Sequence, residues 1–311
     1  MTRRALITGI AGSLASIVAR RLYERGYEII GVDYRTPQVL DFPAQLYRAN
    51  YNKTKIEDIF RRHPPSHVFH LGRVGNLKER LGKRFDLNVI GSRKVMDLSV
   101  RTGARRLVVL STFHIYGADP HNHIPIYEDE PLRAGSEFPQ IADAIQLDNQ
   151  ALTWAYQHPE LKTAILRPTN VIGPAITNAM SQFLRLKAVP VLMGFDPMTQ
   201  FIHQDDLAEA IERMAENEGV GVYNVAGPRP VPWRRALEVA GMSTIPVPSS
   251  IAMGYLKLAG AISPSFPPYL LRFFKYPCVI SDAKIREALG WTPTVAPEDA
   301  IRETVRAPLR L

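Results

Sequence analysis

The feature that most constrains this 311-residue chain is its opening. A short apolar run at residues 4–8 feeds directly into Gly9-Ile10-Ala11-Gly12-Ser13-Leu14-Ala15 and then into an amphipathic stretch. Strand, glycine turn and helix in that order leave few folds open, and the order recurs. Apolar runs at 4–8, 28–33, 45–49, 67–71 and 106–111 alternate with helical periodicity at 13–26, 54–63, 84–102 and 140–158, and a sixth run follows at 162–167. Strands alternating with helices of this length predict βαβ units and a parallel sheet. The unbroken apolar triplets Val108-Val109-Leu110 and Ala164-Ile165-Leu166 suit strands buried on both faces.

After Pro168 prolines and loops become frequent. Helices are predicted at 177–188, 205–217, 232–240, 250–261 and 297–305, and strands at 189–192, 199–203, 222–225 and 277–281. This pattern predicts two lobes, residues 1–175 and 176–311, with some later segments returning to the first. The 38 Lys and Arg against 30 Asp and Glu give +8, but they are scattered in pairs such as Arg20-Arg21, Arg61-Arg62 and Arg105-Arg106. A nucleic-acid binder gathers its charge on one element, so no nucleic-acid partner is expected. The single cysteine, Cys278, excludes an intrachain disulfide and fits a reducing, cytoplasmic compartment. The most apolar long stretch, 247–262, is interrupted by Lys257 and falls short of the ~20 residues a membrane span needs.

The glycine turn carries chemistry. Gly9 permits the tight turn, Gly12 admits a pyrophosphate to the backbone, and Ala15 allows close helix–strand packing. The helix start behind them offers N–H groups and a positive dipole end, so Ile10, Ala11, Ser13 and Leu14 join the glycines as a candidate phosphate loop. The second strand ends in Asp33, placed to accept hydrogen bonds from ribose hydroxyls, which selects NAD over NADP; Arg35, two residues on, is the group that would instead pair with a 2′-phosphate. The bland reading of Asp33 is a turn or cap residue.

With these residues in place, the chain resembles the extended short-chain dehydrogenase/reductases, in their NAD-dependent epimerase/dehydratase branch. Thr8-Gly9-x-x-Gly12-x-x-Ala15, His67-Val-Phe-His70-Leu71-Gly72, Asn88-Val-Ile-Gly91-Ser92, Leu110-Ser111-Thr112-Phe-His114-Ile-Tyr116-Gly117, Leu166-Arg167-Pro168-Thr169-Asn170-Val171, Phe201-Ile-His-Gln-Asp205-Asp206 and Ala288-Leu-Gly290-Trp291 carry the likeness across nearly the whole chain. The resemblance implies a Rossmann-type doubly wound parallel sheet with a smaller C-terminal α+β substrate lobe. It also implies cofactor contacts from Tyr34, Asn50, Tyr51, Leu71, Gly72, Arg73, Asn88, Ser111, Pro168, Asn170 and Val171. A homodimer through the helices near 84–102 and 140–158 is a further implication.

One part of the pattern is missing. The family's Tyr-x-x-x-Lys pair stands on the helix after the fifth strand, where this chain reads Pro139-Gln140-Ile-Ala-Asp143-Ala144. Gln140 and Ala144 fall at the two positions, and no lysine occurs from Val95 to Leu161. Tyr51-x-x-x-Lys55 matches as text but lies just past the third strand. The candidates for a relocated proton path are Thr112, at the family's hydroxyl position, and His114, which ordinarily titrates near neutral pH. Tyr116, Gln140 and Asp143 complete the set. Each has a plainer reading: Tyr116 as packing, His114 as a half-buried loop residue, Asp143 as a first-turn helix acid. Either the chemistry has moved, or the chain holds NAD without turnover, or its chemistry needs little proton transfer. His121, His123 and Glu128–Glu130 lack a metal-site spacing, so no metal is expected.

For the substrate, Arg185, Lys187, Arg213, Arg229, Arg234 and Arg235 are available to a sugar-nucleotide diphosphate. The apolar, aromatic stretch from Ile251 to Tyr276 suits a core helix and subunit interface, a lipid- or sterol-like substrate, or peripheral lipid contact.

Overall fold

The computed structural model describes residues 3–75, 79–248 and 270–308. The first lobe runs β1 (Arg4–Thr8), α1 (Ser13–Glu24), β2 (Glu28–Asp33), β3 (Gln45–Arg48), α2 (Thr54–Arg62), β4 (His67–His70), α3 (Leu81–Phe85), α4 (Ser92–Arg101), β5 (Arg106–Leu110), α5 (Ala134–Glu137), α6 (Ala142–Gln157) and β6 (Lys162–Pro168). Then follow β7 (Asn170–Ile172), α7 (Ala179–Phe183), β8 (Ala188–Leu192), β9 (Met198–Thr199), β10 (Phe201–His203), α8 (Gln204–Met214), β11 (Gly221–Val225), β12 (Val231–Pro232), α9 (Trp233–Val239), β13 (Ser243–Val247), α10 (Leu270–Phe273), α11 (Ala283–Leu289) and α12 (Pro297–Arg306).

β1 sits between β2 and β4 in a seven-stranded parallel sheet of order β3-β2-β1-β4-β5-β6-β11. Its apolar run is continuous because both faces are covered. Ala5 and Ile7 join the core under α1 and α8, while Leu6 joins the core formed with α2, α4 and α6. Helix α1 buries Ala15, Val18, Ala19 and Leu22, the i, i+3, i+4, i+7 stripe that ties it to the sheet. The order reverses between β1 and β4, and a doubly wound sheet opens its crevice at such a point, over the carboxyl ends of the strands. Residues 204–225 return to this sheet, β11 pairing with β6. A separate core gathers Ile172, Val189, Phe201, Trp233, Leu237 and Ile301.

Several elements depart from the sequence reading. The expected helix 84–102 is broken: residues Asp86–Gly91 widen into a π-helical turn between α3 and α4. The extra residue per turn carries Asn88 to a fully buried position against the loop after β4. The expected strand 199–203 splits at Gln200, and the expected strand 277–281 reduces to one bridge, Ile126 to Ile280. In the second case the Gln200 side-chain amide takes the N–H (2.8 Å) and the C=O (3.1 Å) of Ile280, the groups a strand would use. The helix expected at 177–188 stops at Phe183, before β8 starts at Ala188. Strands β7, β12 and β13 and helices α5, α10 and α11 were not anticipated. The helix expected at 250–261 lies outside the described residues. No helix among the described residues is long and apolar enough to cross a membrane.

Candidate active site

The crevice is built where β1, β4, β5 and β6 end. Gly9 takes φ +77°, and a Cβ there would lie 2.5 Å from Gly72 Cα, so only glycine lets the β1 loop touch the β4 loop. Gly12 N–H closes the turn on Gly9 C=O (2.8 Å). No side chain caps α1, whose first-turn N–H groups at Ser13 and Leu14 are the orphan donors of any helix start. Ile10 is buried beneath the loop. Asp33 is almost wholly buried; its carboxylate accepts from Ala11 N–H (3.1 Å), Arg35 N–H (2.8 Å) and the Arg35 guanidinium (3.2 and 3.1 Å). Tyr34 lies beside it, its ring under the Arg35 and Lys83 cations.

Tyr51 is fully buried and accepts the Gly9 N–H at its hydroxyl (3.0 Å), so it supports the loop from behind instead of lining the crevice. Asn50 caps its own turn at Asn52 N–H. Beneath the loop Thr8 Oγ1 bonds His70 Nδ1 (2.7 Å), and His70 Nε2 bonds Ser92 Oγ (2.6 Å). Desolvation alone holds that ring neutral, down to about 4. The β4 strand leads out through Leu71, Gly72 and Arg73. Asn88 reaches Val74 with both ends of its amide, accepting the N–H at 2.7 Å and donating to the C=O at 3.0 Å.

At the end of β5 the structure separates the candidates. Thr112 Oγ1 lies 2.9 Å from His114 Nδ1 and caps the short 3-10 turn Phe113–Tyr116. His114 packs against Phe113 and edge-on to Phe273 of α10. Desolvation, with the Arg73 charge as the smaller cause, pushes it down to about 3, away from the near-neutral range expected of it. Tyr116 is fully buried. Its hydroxyl accepts from Arg167 Nη1 (2.6 Å) and donates to Asn224 Oδ1 (2.8 Å), while burial raises it to about 12. That is the packing role, not a proton donor's. Ser111, expected to touch cofactor, instead donates to Asp148 (2.5 Å), whose carboxylate also holds Arg167 in a fork (3.0 and 2.6 Å).

Asp143 is fully buried, ion-paired with Arg84 and accepting from Asn88 Nδ2 (2.6 Å). Gln140 is exposed in the turn before α6, its carbonyl accepting from Arg84 (2.6 Å). Pro168 ends β6; Asn170 donates to Gln200 C=O (3.0 Å), and Val171 packs into the sheet core. Arg84 and Phe138 were missed, and Phe273 was seen only as part of the aromatic stretch from Ile251 to Tyr276. An arginine beside a lysine in a short helix and a phenylalanine in a loop give no sequence signal of the Gln140 and Asp143 contacts or of the packing against Phe273. Among the described residues, no three His, Cys, Asp or Glu side chains gather as a metal site. Of the arginines set aside for a diphosphate, Arg213, Arg229 and Arg235 are paired with Glu209, Glu298 and Glu238. A separate groove at the amino ends of the strands, lined by Arg3, Tyr27, Glu212 and Glu216, lies away from this chemistry.

The sequence profile of the NAD-dependent epimerase/dehydratase family matches residues 5–226, and the chain belongs to that family. It is 26% identical over 302 residues to an uncharacterized protein of Mycobacterium tuberculosis, covering 93% of this chain and 79% of that one. It is 24% identical over 331 residues to the UDP-glucuronate 4-epimerase of Thermodesulfobacterium geofontis, covering 96% and 94%. The fold superposes on the Thermus thermophilus UDP-glucose 4-epimerase solved with NAD, with a TM-score of 0.76 at 24% identity and 97% of each chain covered.

Proposed function

We propose that this protein binds NAD in the crevice over β1 and β4 and uses it for reversible oxidation of a hydroxyl-bearing small molecule, with sugar nucleotides as the substrate class. The observation that carries this reading is the convergence of an uncapped helix start, a buried Asp33 and a Thr112–His114 hydrogen bond at one end of the sheet. The donor set fits the cofactor. Backbone N–H groups of the glycine loop suit a pyrophosphate, and a buried carboxylate suits ribose hydroxyls. Bound there, NAD supplies the hydride acceptor.

The protein's own part is orientation and proton placement. His114 stays neutral, so its Nδ1 can accept the Thr112 hydroxyl hydrogen. One Thr112 lone pair takes the His114 N–H and the other can accept a substrate hydroxyl hydrogen, so the pair orients the substrate oxygen over the crevice. Sugar nucleotides are chosen because they are what the related epimerases are named for. An apolar hydroxyl or keto compound is the other substrate class in view, supported by Phe113 and Phe273 around His114. The surface of the π-helical turn, α4 and α6, where Ile90 and Tyr156 are exposed, is the proposed homodimer face; light scattering at a dilution series tests it.

A second reading, an NAD-holding protein without turnover, is favoured by one observation. His114 is held neutral, and Asp143 and Tyr116 are committed to internal partners. Analysis of nucleotide released from the purified protein, followed by incubation with UDP-glucuronate and UDP-glucose, separates the two. NADH formation or an epimerised sugar that vanishes in Thr112→Val supports the enzyme. Tight NAD without either product supports the holder. Neither nucleotide nor an NAD-dependent rise in Tm refutes both.

A further inference from the structure

Where α3 meets α6 the fold buries an ion pair. Arg84, from α3, and Asp143, from the first turn of α6, are 3% and 0% exposed and pair with each other. Arg84 also ties the Gln140 carbonyl at 2.6 Å. The Asp143 carboxylate can only accept, and one of its oxygens receives Asn88 Nδ2 at 2.6 Å. That contact fixes which end of the Asn88 amide faces α6. The remaining Nδ2 hydrogen and Oδ1 then grip Val74 C=O and N–H. Val74 stands two residues after Gly72, whose backbone abuts the glycine loop, and one after Arg73, whose charge reaches His114. A continuous hydrogen-bonded path thus runs from α3 and α6 to the segment between the phosphate loop and Thr112.

We infer that Arg84 and Asp143 are positioning residues: through Asn88 they hold the 72–74 segment in register under the reacting half of the cofactor. This rests on the cofactor site proposed above. Two consequences separate it from a purely structural ion pair. The adenosine half, held by Asp33 and the glycine loop, is indifferent to the pair. The nicotinamide half is not.

The test titrates NADH and ADP against the wild-type protein, Arg84→Met/Asp143→Leu and Asp143→Asn, with Tm recorded for each. The double variant removes both charges and can fold with an apolar contact in their place. Asp143→Asn keeps the side-chain shape if the double variant does not fold. The expected result is a folded variant whose NADH Kd rises about tenfold, the effect of one charge-assisted hydrogen bond, while its ADP Kd stays within about twofold. Bound NADH fluorescence shifts with it. Equal loss of NADH and ADP, or no loss of either, in a folded variant overturns the inference. A wild-type protein that binds neither ligand instead removes the cofactor site on which it rests.

Discussion

Acidification from about pH 7 to about pH 5 should remove a large part of this protein's stability through buried histidines. His70, 2% exposed, sits between two hydroxyls, and burial lowers it to about 4. His67, 3% exposed, is lowered to about 4 by burial first and by Arg105 second. His114 is lowered to about 3. In the unfolded chain an imidazole titrates near 6.5. The unfolded state therefore takes up protons that the folded state refuses until about pH 4, and stability present above about pH 6.5 is lost as the pH falls through that window. Integrated to about pH 5, each ring costs about 2 kcal/mol, so the three together cost roughly 6 kcal/mol. Against the usual ~5–15 kcal/mol of a folded domain that is enough to bring unfolding into reach. The assay is the urea midpoint, followed by circular dichroism, at closely spaced pH values. His70→Gln keeps a donor and an acceptor for Thr8 and Ser92 and should recover about one third of the loss, since the three rings contribute alike. A midpoint that stays flat across the window, or a His70→Gln variant as acid-sensitive as the parent, would refute the reasoning.

Further outcomes follow from single contacts. In Gly72→Ala the new methyl would collide with the Tyr51 hydroxyl and lie 2.9 Å from Gly9 N, so thermal melts should show a loss of about 1–3 kcal/mol, and NADH titration a weakened site. Asp33→Ala removes the ribose acceptor and releases the Arg35 fork; the ratio of NADH to NADPH affinity should fall at least about tenfold in paired fluorescence titrations. Thr112→Val should lower turnover by about a hundredfold while NADH affinity holds, a split visible by comparing kcat with Kd. Arg167→Met strands the buried Asp148 carboxylate with only Ser111, which should cost about 3–5 kcal/mol in urea denaturation.

Much of the first lobe was legible because its signals are local. An apolar triplet buried on both faces, a glycine that must take φ +77° and an acid at the end of the next strand are properties of adjacent residues. The absence of lysine from Val95 to Leu161 was legible for the same reason, as a count along the chain. Asn88 was singled out by motif, but the broken helix that buries it was not, because a π-helical turn is set by what the side chain finds across space. Gln200 and Ile280, eighty residues apart, show the same limit, since a side-chain amide there takes the backbone groups of a strand that propensity alone predicts.

The sequence by itself determined the alternation of strands and helices up to β6, the glycine turn with Asp33 at the end of the next strand, and the family to which the chain belongs. Only the tertiary structure decided what the candidate site residues are free to do. It turned Tyr116 and Ser111 inward to Arg167 and Asp148, locked Asp143 to Arg84, and held His114 neutral. The physical reason is that pattern and spacing specify backbone conformation through neighbours in the chain. A side chain's charge state and reach depend on desolvation and on partners that folding brings from elsewhere.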